Sequence, residues 1–86
     1  MMLNFPNDSR SYDATRRAVR FWGYDGPMEV SFFVTTEALQ RLHRSAADEQ
    51  ELLKTFDAHQ REIRTAAERS YKRGRQGSYE LTEKDV

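Results

Sequence analysis

Residues 46–73 contain neither glycine nor proline, and this constrains the chain more than any other stretch. Within it Leu53, Phe56, Gln60, Ile63, Ala67 and Tyr71 follow one another at spacings of 3, 4, 3, 4 and 4. That is 18 residues in five turns, the helical period of about 3.6. Leu52, His59 and Ala66 widen the apolar stripe. Asp48, Glu49 and Glu51 crowd its beginning and Arg69, Lys72 and Arg73 its end, the order that the helix dipole favours. Ser45, three residues before Asp48, resembles a capping box with Asp in place of the usual Glu. One long amphipathic helix over 46–73 is predicted, stopped by Gly74, a natural left-handed cap residue.

Such a helix needs an apolar surface to lie on, and residues 17–35, "RAVRFWGYDGPMEVSFFVT", supply one. They are rich in Val, Phe, Trp and Tyr, and "DGP" interrupts them midway, which reads as a β-hairpin with strands at about 17–24 and 28–35. The turn is either the two residues Asp25-Gly26 or the four from Tyr24 to Pro27. Gly26 precedes a proline and is biased towards extended backbone, which favours the longer loop. Both put Phe21 opposite Val30 and Val19 opposite Phe32. Val19, Phe21, Met28, Val30, Phe32 and Val34 then share the core side. Ala18, Arg20, Trp22, Tyr24, Glu29, Ser31, Phe33 and Thr35 share the other. Two large aromatics, Trp22 and Phe33, among polar groups require a cover: a third strand's side chains, a helix or a second subunit.

The flanking segments complete an α+β fold. "TTEALQRLHR" carries a threonine cap, Glu37 in the first turn, and Leu39 and Leu42 three apart, a short helix at about 36–44. "GSYELT" reads as a short strand at about 77–81 with Tyr79 and Leu81 on one face. Thr82 and Asp85 repeat a capping pattern that suits a final helical turn. "LNFP" offers a short edge strand ended by Pro6. The expected architecture is a small antiparallel sheet built on the central hairpin, with the long helix packed on its Val19/Phe21/Val30/Phe32 face.

At 86 residues the chain has room for one domain. A chain this small buries only about 60% of the surface its unfolded form exposes. There is no cysteine, so disulfides and thiolate chemistry are excluded. "MMLNFPNDSR" has no apolar run suited to a signal peptide or a membrane span, and the expectation is a soluble cytoplasmic protein with no membrane partner. Fourteen basic residues balance fourteen acidic ones, which argues against non-specific coating of nucleic acid, since that binding comes from phosphate neutralisation.

Catalytic signatures are missing. His43 and His59 have no second ligand at metal spacing. Ser70, Ser78 and Thr82 lie in no nucleophile elbow. No cofactor motif is present, and a non-enzymatic protein is expected. Two candidate surfaces remain. The first is the Trp22/Phe33 face, read as an interaction face for an unknown protein partner or for self-association, since aromatics are enriched in interface cores. The second is a set of basic residues, Arg16, Arg17 and Arg20 before and within the first strand, and Lys72, Arg73 and Arg75 after the long helix, with Tyr79 as a stacking platform. It reads as an anion or nucleic-acid contact if the two groups meet in space. Otherwise the first group is strand-edge charge and the second caps a helix C-terminus. "KRGRQGSY" is no phosphate loop, because its glycines follow a helix, whose carbonyl end repels anions.

Three stretches together resemble a known family: "SYDATRRAVRFWGYDGPMEVSFFVTTEAL", "FDAHQREIRTAAERSY" and "GRQGSYELTEKDV". The "RAVRF" strand opening, the "SFFV" strand and the ending Y-x-x-G-R-x-G-S-Y-x-L-T-x-x-D are the most distinctive parts. The chain resembles the short bacterial proteins known as domain of unknown function 1488, over residues 3–86. The resemblance implies a small single-domain α+β protein of bacterial origin and brings no assigned activity, catalytic residue or cofactor.

Overall fold

A computed structural model describes residues 3–6, 9–74 and 76–86. The elements in chain order are β1 (Arg10–Asp13), β2 (Ala18–Asp25), β3 (Met28–Thr35), α1 (Thr36–Leu42), α2 (Glu49–Ala58), α3 (Gln60–Arg73) and β4 (Tyr79–Leu81). The strands form one four-stranded sheet in the order β1-β2-β3-β4. The expected α+β fold is present. The sheet is mixed rather than wholly antiparallel, because β4 returns from the helices and pairs with β3 in parallel. A parallel neighbour needs a long crossover, and the three helices provide it.

The hairpin differs from expectation by two residues. Its loop is Gly26-Pro27, so Phe21 pairs with Phe32 and Val19 with Val34. Gly26 has φ +59°, and proline's ring fixes the next φ as negative, the sign pattern of a type II′ turn. The residue before a proline avoids the right-handed helical region, and glycine escapes into the mirror-image region at no steric cost. A shift of two preserves every side chain's face, since strand side chains alternate with period 2. The sorting into faces therefore stands, except that Met28, at the tip, is 51% exposed.

The long helical segment is interrupted. Asp48, not Ser45, is the N-cap of α2, accepting from the Glu51 N–H at 2.9 Å, while the Glu51 side chain reaches back to the Ala47 N–H at 3.2 Å. At His59 the backbone leaves the helix (φ −120°, ψ 27°) before α3 begins. Neither glycine nor proline causes this break. An unbroken helix over 46–73 would measure about 42 Å, longer than the molecule's 36 Å greatest extent. Broken, the segment lays α2 against β1 and β2 and α3 against β4. The buried side chains are Leu52, Thr55 and Phe56 from α2 and Ile63, Ala66 and Ala67 from α3.

All three helices stand on the inner face of the sheet. Val19, Phe21, Val30, Phe32 and Val34 join Leu39, Leu52, Phe56, Ile63, Tyr79 and Leu81 in one apolar core. Phe32 is its hub, with the rings of Phe21 and Tyr79 both stacked at 5.3 Å. The N-terminal segment seals one side. Asn4 exchanges two backbone hydrogen bonds with Tyr24, and the Phe5 ring lies against Gly23, where a Cβ would sit 2.8 Å from Phe5 Cε1. Any larger residue there would have to displace the Phe5 ring. Edge strand β1 is tied to α2 by a two-point ion pair, Arg10 Nε to Asp57 Oδ1 and Nη2 to Oδ2, each 2.9 Å. That hydrogen-bonded guanidinium holds the Asp57 carboxyl below its ordinary pKa.

Candidate interaction face

The outer face of the sheet is built from the other half of the hairpin pattern. Arg20 lies directly across from Phe33, and Trp22 across from Ser31. Ala18, Trp22 and Phe33 are outside the apolar core that the helices share. Phe33 is nonetheless only 8% exposed. What covers it is arginine: the Arg16 guanidinium sits 4.0 Å above its ring centroid and that of Arg20 at 5.9 Å. Arg20 also stands 4.6 Å above Trp22. Guanidinium groups stack on aromatic faces because the cation meets the negative face of the ring and sheds little hydration.

This arrangement leaves an electrostatic debt. Arg20 Nη2 donates to Ser31 Oγ at 3.2 Å, while its Nε is buried and has no acceptor. An unsatisfied buried donor costs about 1–3 kcal/mol, so the stacking must offset that cost. Trp22 remains part-exposed and lines a shallow depression of about 230 Å³ with Ser9, Tyr24 and Glu29. Of the acidic groups on this face, Glu29 is near the hairpin tip, while Glu80 is the immediate β4 neighbour of Phe33.

The remaining basic residues go elsewhere. Arg17 is in the β1–β2 turn at φ 52°, a left-handed conformation uncommon outside glycine. Its carbonyl accepts from the Thr36 N–H at 2.9 Å and from Thr36 Oγ1 at 3.0 Å. Its guanidinium is 3.6 Å from Glu37. Lys72 and Arg73 occupy the last turn of α3, across the sheet from Arg16 and Arg20, and Arg73 is 3.1 Å from Asp85. The two described groups of basic residues line no common depression. Arg75 lies outside the described residues.

Tyr79 is no stacking platform. It is 1% exposed, with its ring against Phe32 and Tyr71, and its hydroxyl donates to the Gly74 carbonyl at 3.0 Å and accepts from the Gln76 N–H at 2.9 Å. Its position on a short strand, two residues before Leu81, was legible; which neighbour would close over it was not. The histidines, remote in sequence, line one open depression of about 310 Å³ with Glu51, Lys54, Thr55 and Ala58. His59 Nδ1 is 2.9 Å from Glu62. Among the described residues no three His, Cys, Asp or Glu side chains gather as a metal site. No described helix is long and apolar enough to cross a membrane.

The fold is shared with a crystal structure of a protein of unknown function from the DUF1488 family of Shewanella loihica PV-4. The TM-score is 0.81 at 17% identity, covering 92% of this chain and 90% of that one. No curated protein matches the chain. The model of the family described as "Protein of unknown function (DUF1488)" matches residues 3–82, and the chain belongs to that family.

Proposed function

We propose that this protein is a non-enzymatic interaction module that pairs with a second copy of itself through the outer face of its sheet. The observation that carries the reading is the pair of guanidiniums, Arg16 and Arg20, laid over Phe33 and Trp22 on a face that none of the described helices covers. Aromatics and arginine are the residues enriched at interface centres. Charge complementarity names the occupant. Arg16 and Arg20 are at the Phe33 end of the face, with Glu80 beside them, and Glu29 is at the hairpin-tip end, so a two-fold axis running across the strands brings the arginines of each copy against Glu29 of the other. The chain's formal charge of zero adds no repulsion.

The size of the face sets the strength. Eight-residue strands and four-strand width offer on the order of 400 Å² of flat area per copy. That is below the size of stable specific interfaces, and only a weak, reversible dimer follows. Sedimentation across micromolar to submillimolar concentrations tests this. The wild type should dimerise reversibly; Arg16→Glu and Glu29→Arg should each weaken the dimer; and the double exchange should restore it. A monomer throughout would sink the proposal, and so would a dimer indifferent to these charges.

The rival reading joined Arg16, Arg17 and Arg20 with Lys72, Arg73 and Arg75 in one patch with Tyr79 as a stacking platform, and it is that joining which the geometry does not favour. Its described cations divide between the two sides of the sheet, and Tyr79 is buried.

A further inference from the structure

The second half of α3 and the C-terminal turn meet around a depression of about 390 Å³, lined by Ala66, Arg69, Lys72, Arg73, Lys84 and Asp85. Four cations thus face one carboxylate, in a chain whose formal charge is zero. The carboxylate is already engaged. Asp85 Oδ2 accepts from the Thr82 N–H at 2.8 Å, and Oδ1 from Arg73 Nη2 at 3.1 Å. Burial alone would raise its pKa, but the Thr82 N–H and hydroxyl together with Arg73 hold it below the ordinary value. Asp85 is therefore an ionised positioning group for Arg73.

Arg69, Lys72 and Lys84 have no carboxylate within ion-pair distance among the described residues. The dipole of α3 accounts for only part of this charge. Its C-terminal end carries the equivalent of about −0.5 charge, against a net of three positive charges around the depression. Ala66, small and buried, leaves room at the floor. Lys84 brings a cation from the far end of the chain to a place that no linear pattern marks.

We propose that this depression binds a compact, multiply charged phosphate anion of the diphosphate class. Lys72 and Lys84 are its direct contacts, Arg69 offers a planar fork for phosphate oxygens, and Arg73 closes the rim. Compactness follows from geometry: the unpaired cations converge on one concavity. An extended polyanion needs a continuous basic track, whereas these four described cations gather around one depression.

The test uses the full chain and pyrophosphate at low salt, where the interaction is least screened. Amide chemical shifts are followed by two-dimensional NMR. Saturable changes should be confined to residues 66–73 and 82–86. Lys72→Gln and Lys84→Gln, both at exposed positions, should each weaken binding about tenfold, as loss of a charge-assisted hydrogen bond implies. Arg41→Gln, an exposed cation on α1, should leave it unchanged. No saturation at millimolar pyrophosphate would overturn the proposal. Equal weakening by Arg41→Gln, or tighter binding of an oligonucleotide than of pyrophosphate, would overturn it too. These shifts are distinct from any at Trp22 or Phe33, so the outcome is independent of self-association.

Discussion

Phe32 and Phe33 are neighbours in β3, and both are hidden from solvent, at 0% and 8% exposure. Different things hide them. Phe32 is enclosed by rings and aliphatic groups from the sheet and from β4. Phe33 is roofed by two arginines. A closed face and an open one have reached similar burial by different physics. The first excludes water through close packing that only unfolding undoes. The second excludes it with long side chains laid over the ring, one exposed (Arg16) and one half-buried (Arg20). Burial alone does not separate core from interface; the identity of the covering group does.

The largest predicted effect breaks the comparison at this pair. Phe32→Ala should lose about 3–5 kcal/mol of stability, as large-to-small changes in a closed core do. Phe33→Ala should lose only about 1–2 kcal/mol, since it forfeits stacking under arginine side chains and not close packing in the core. Urea denaturation measures both, and equal losses would erase the distinction between the faces.

Next comes Gly23, where the inner face has no spare room. Gly23→Ala should push the Phe5 ring aside and cost about 1–3 kcal/mol, in the range of core overpacking. Faster hydrogen exchange at the Asn4 and Tyr24 amides would report the displaced segment, because those amides hold it to β2. Unchanged exchange would mean that the ring moves without freeing the strand.

The smallest effect concerns the margin of the closed face, where Arg10 and Asp57 bind β1 to α2. Both side chains are part-exposed, 32% and 43%, and solvent screening limits such a pair to under about 1 kcal/mol. The folded-state pKa of Asp57 is depressed by the Arg10 hydrogen bond. The pair's stabilisation is therefore complete above about pH 5. It is lost as pH falls through the ordinary aspartate range and on through the lower folded value. Asp57→Asn should lower the midpoint slightly at neutral pH and flatten that part of the acid limb in a melting-temperature profile. An acid limb identical to wild type would exclude this pair from it.

Much of the fold was legible because it is local. The Thr35 cap of α1, the stop at Gly74 (whose backbone is near-extended, φ 159° and ψ 155°, not the left-handed cap expected) and the alternation along 18–25 and 28–35 follow from neighbouring residues. The candidate site was half legible. Trp22 and Phe33 announced a face in need of a cover, but the cover proved to be arginines that the same reading had assigned to a different patch. Alternation already placed Arg20 on the face of Trp22 and Phe33; what linear order concealed is that Arg16, in the turn before β2, folds back over the Phe33 ring. Lys84 and Arg69 drew no notice as a site because their meeting depends on where the C-terminal turn docks.

By itself the amino-acid sequence determined the hairpin strands, the short helix, the helical character of the segment after it and the closing strand, and which side of the hairpin is apolar; it did not mark β1. Backbone sterics, capping and period-2 or period-3.6 alternation act over a few residues and need no distant partner. Only the tertiary structure decided the hairpin's register, the break at His59, the parallel entry of β4 and the burial of Tyr79. Those depend on lengths that must match across layers and on which surfaces exclude water together, and both are set by the whole chain at once.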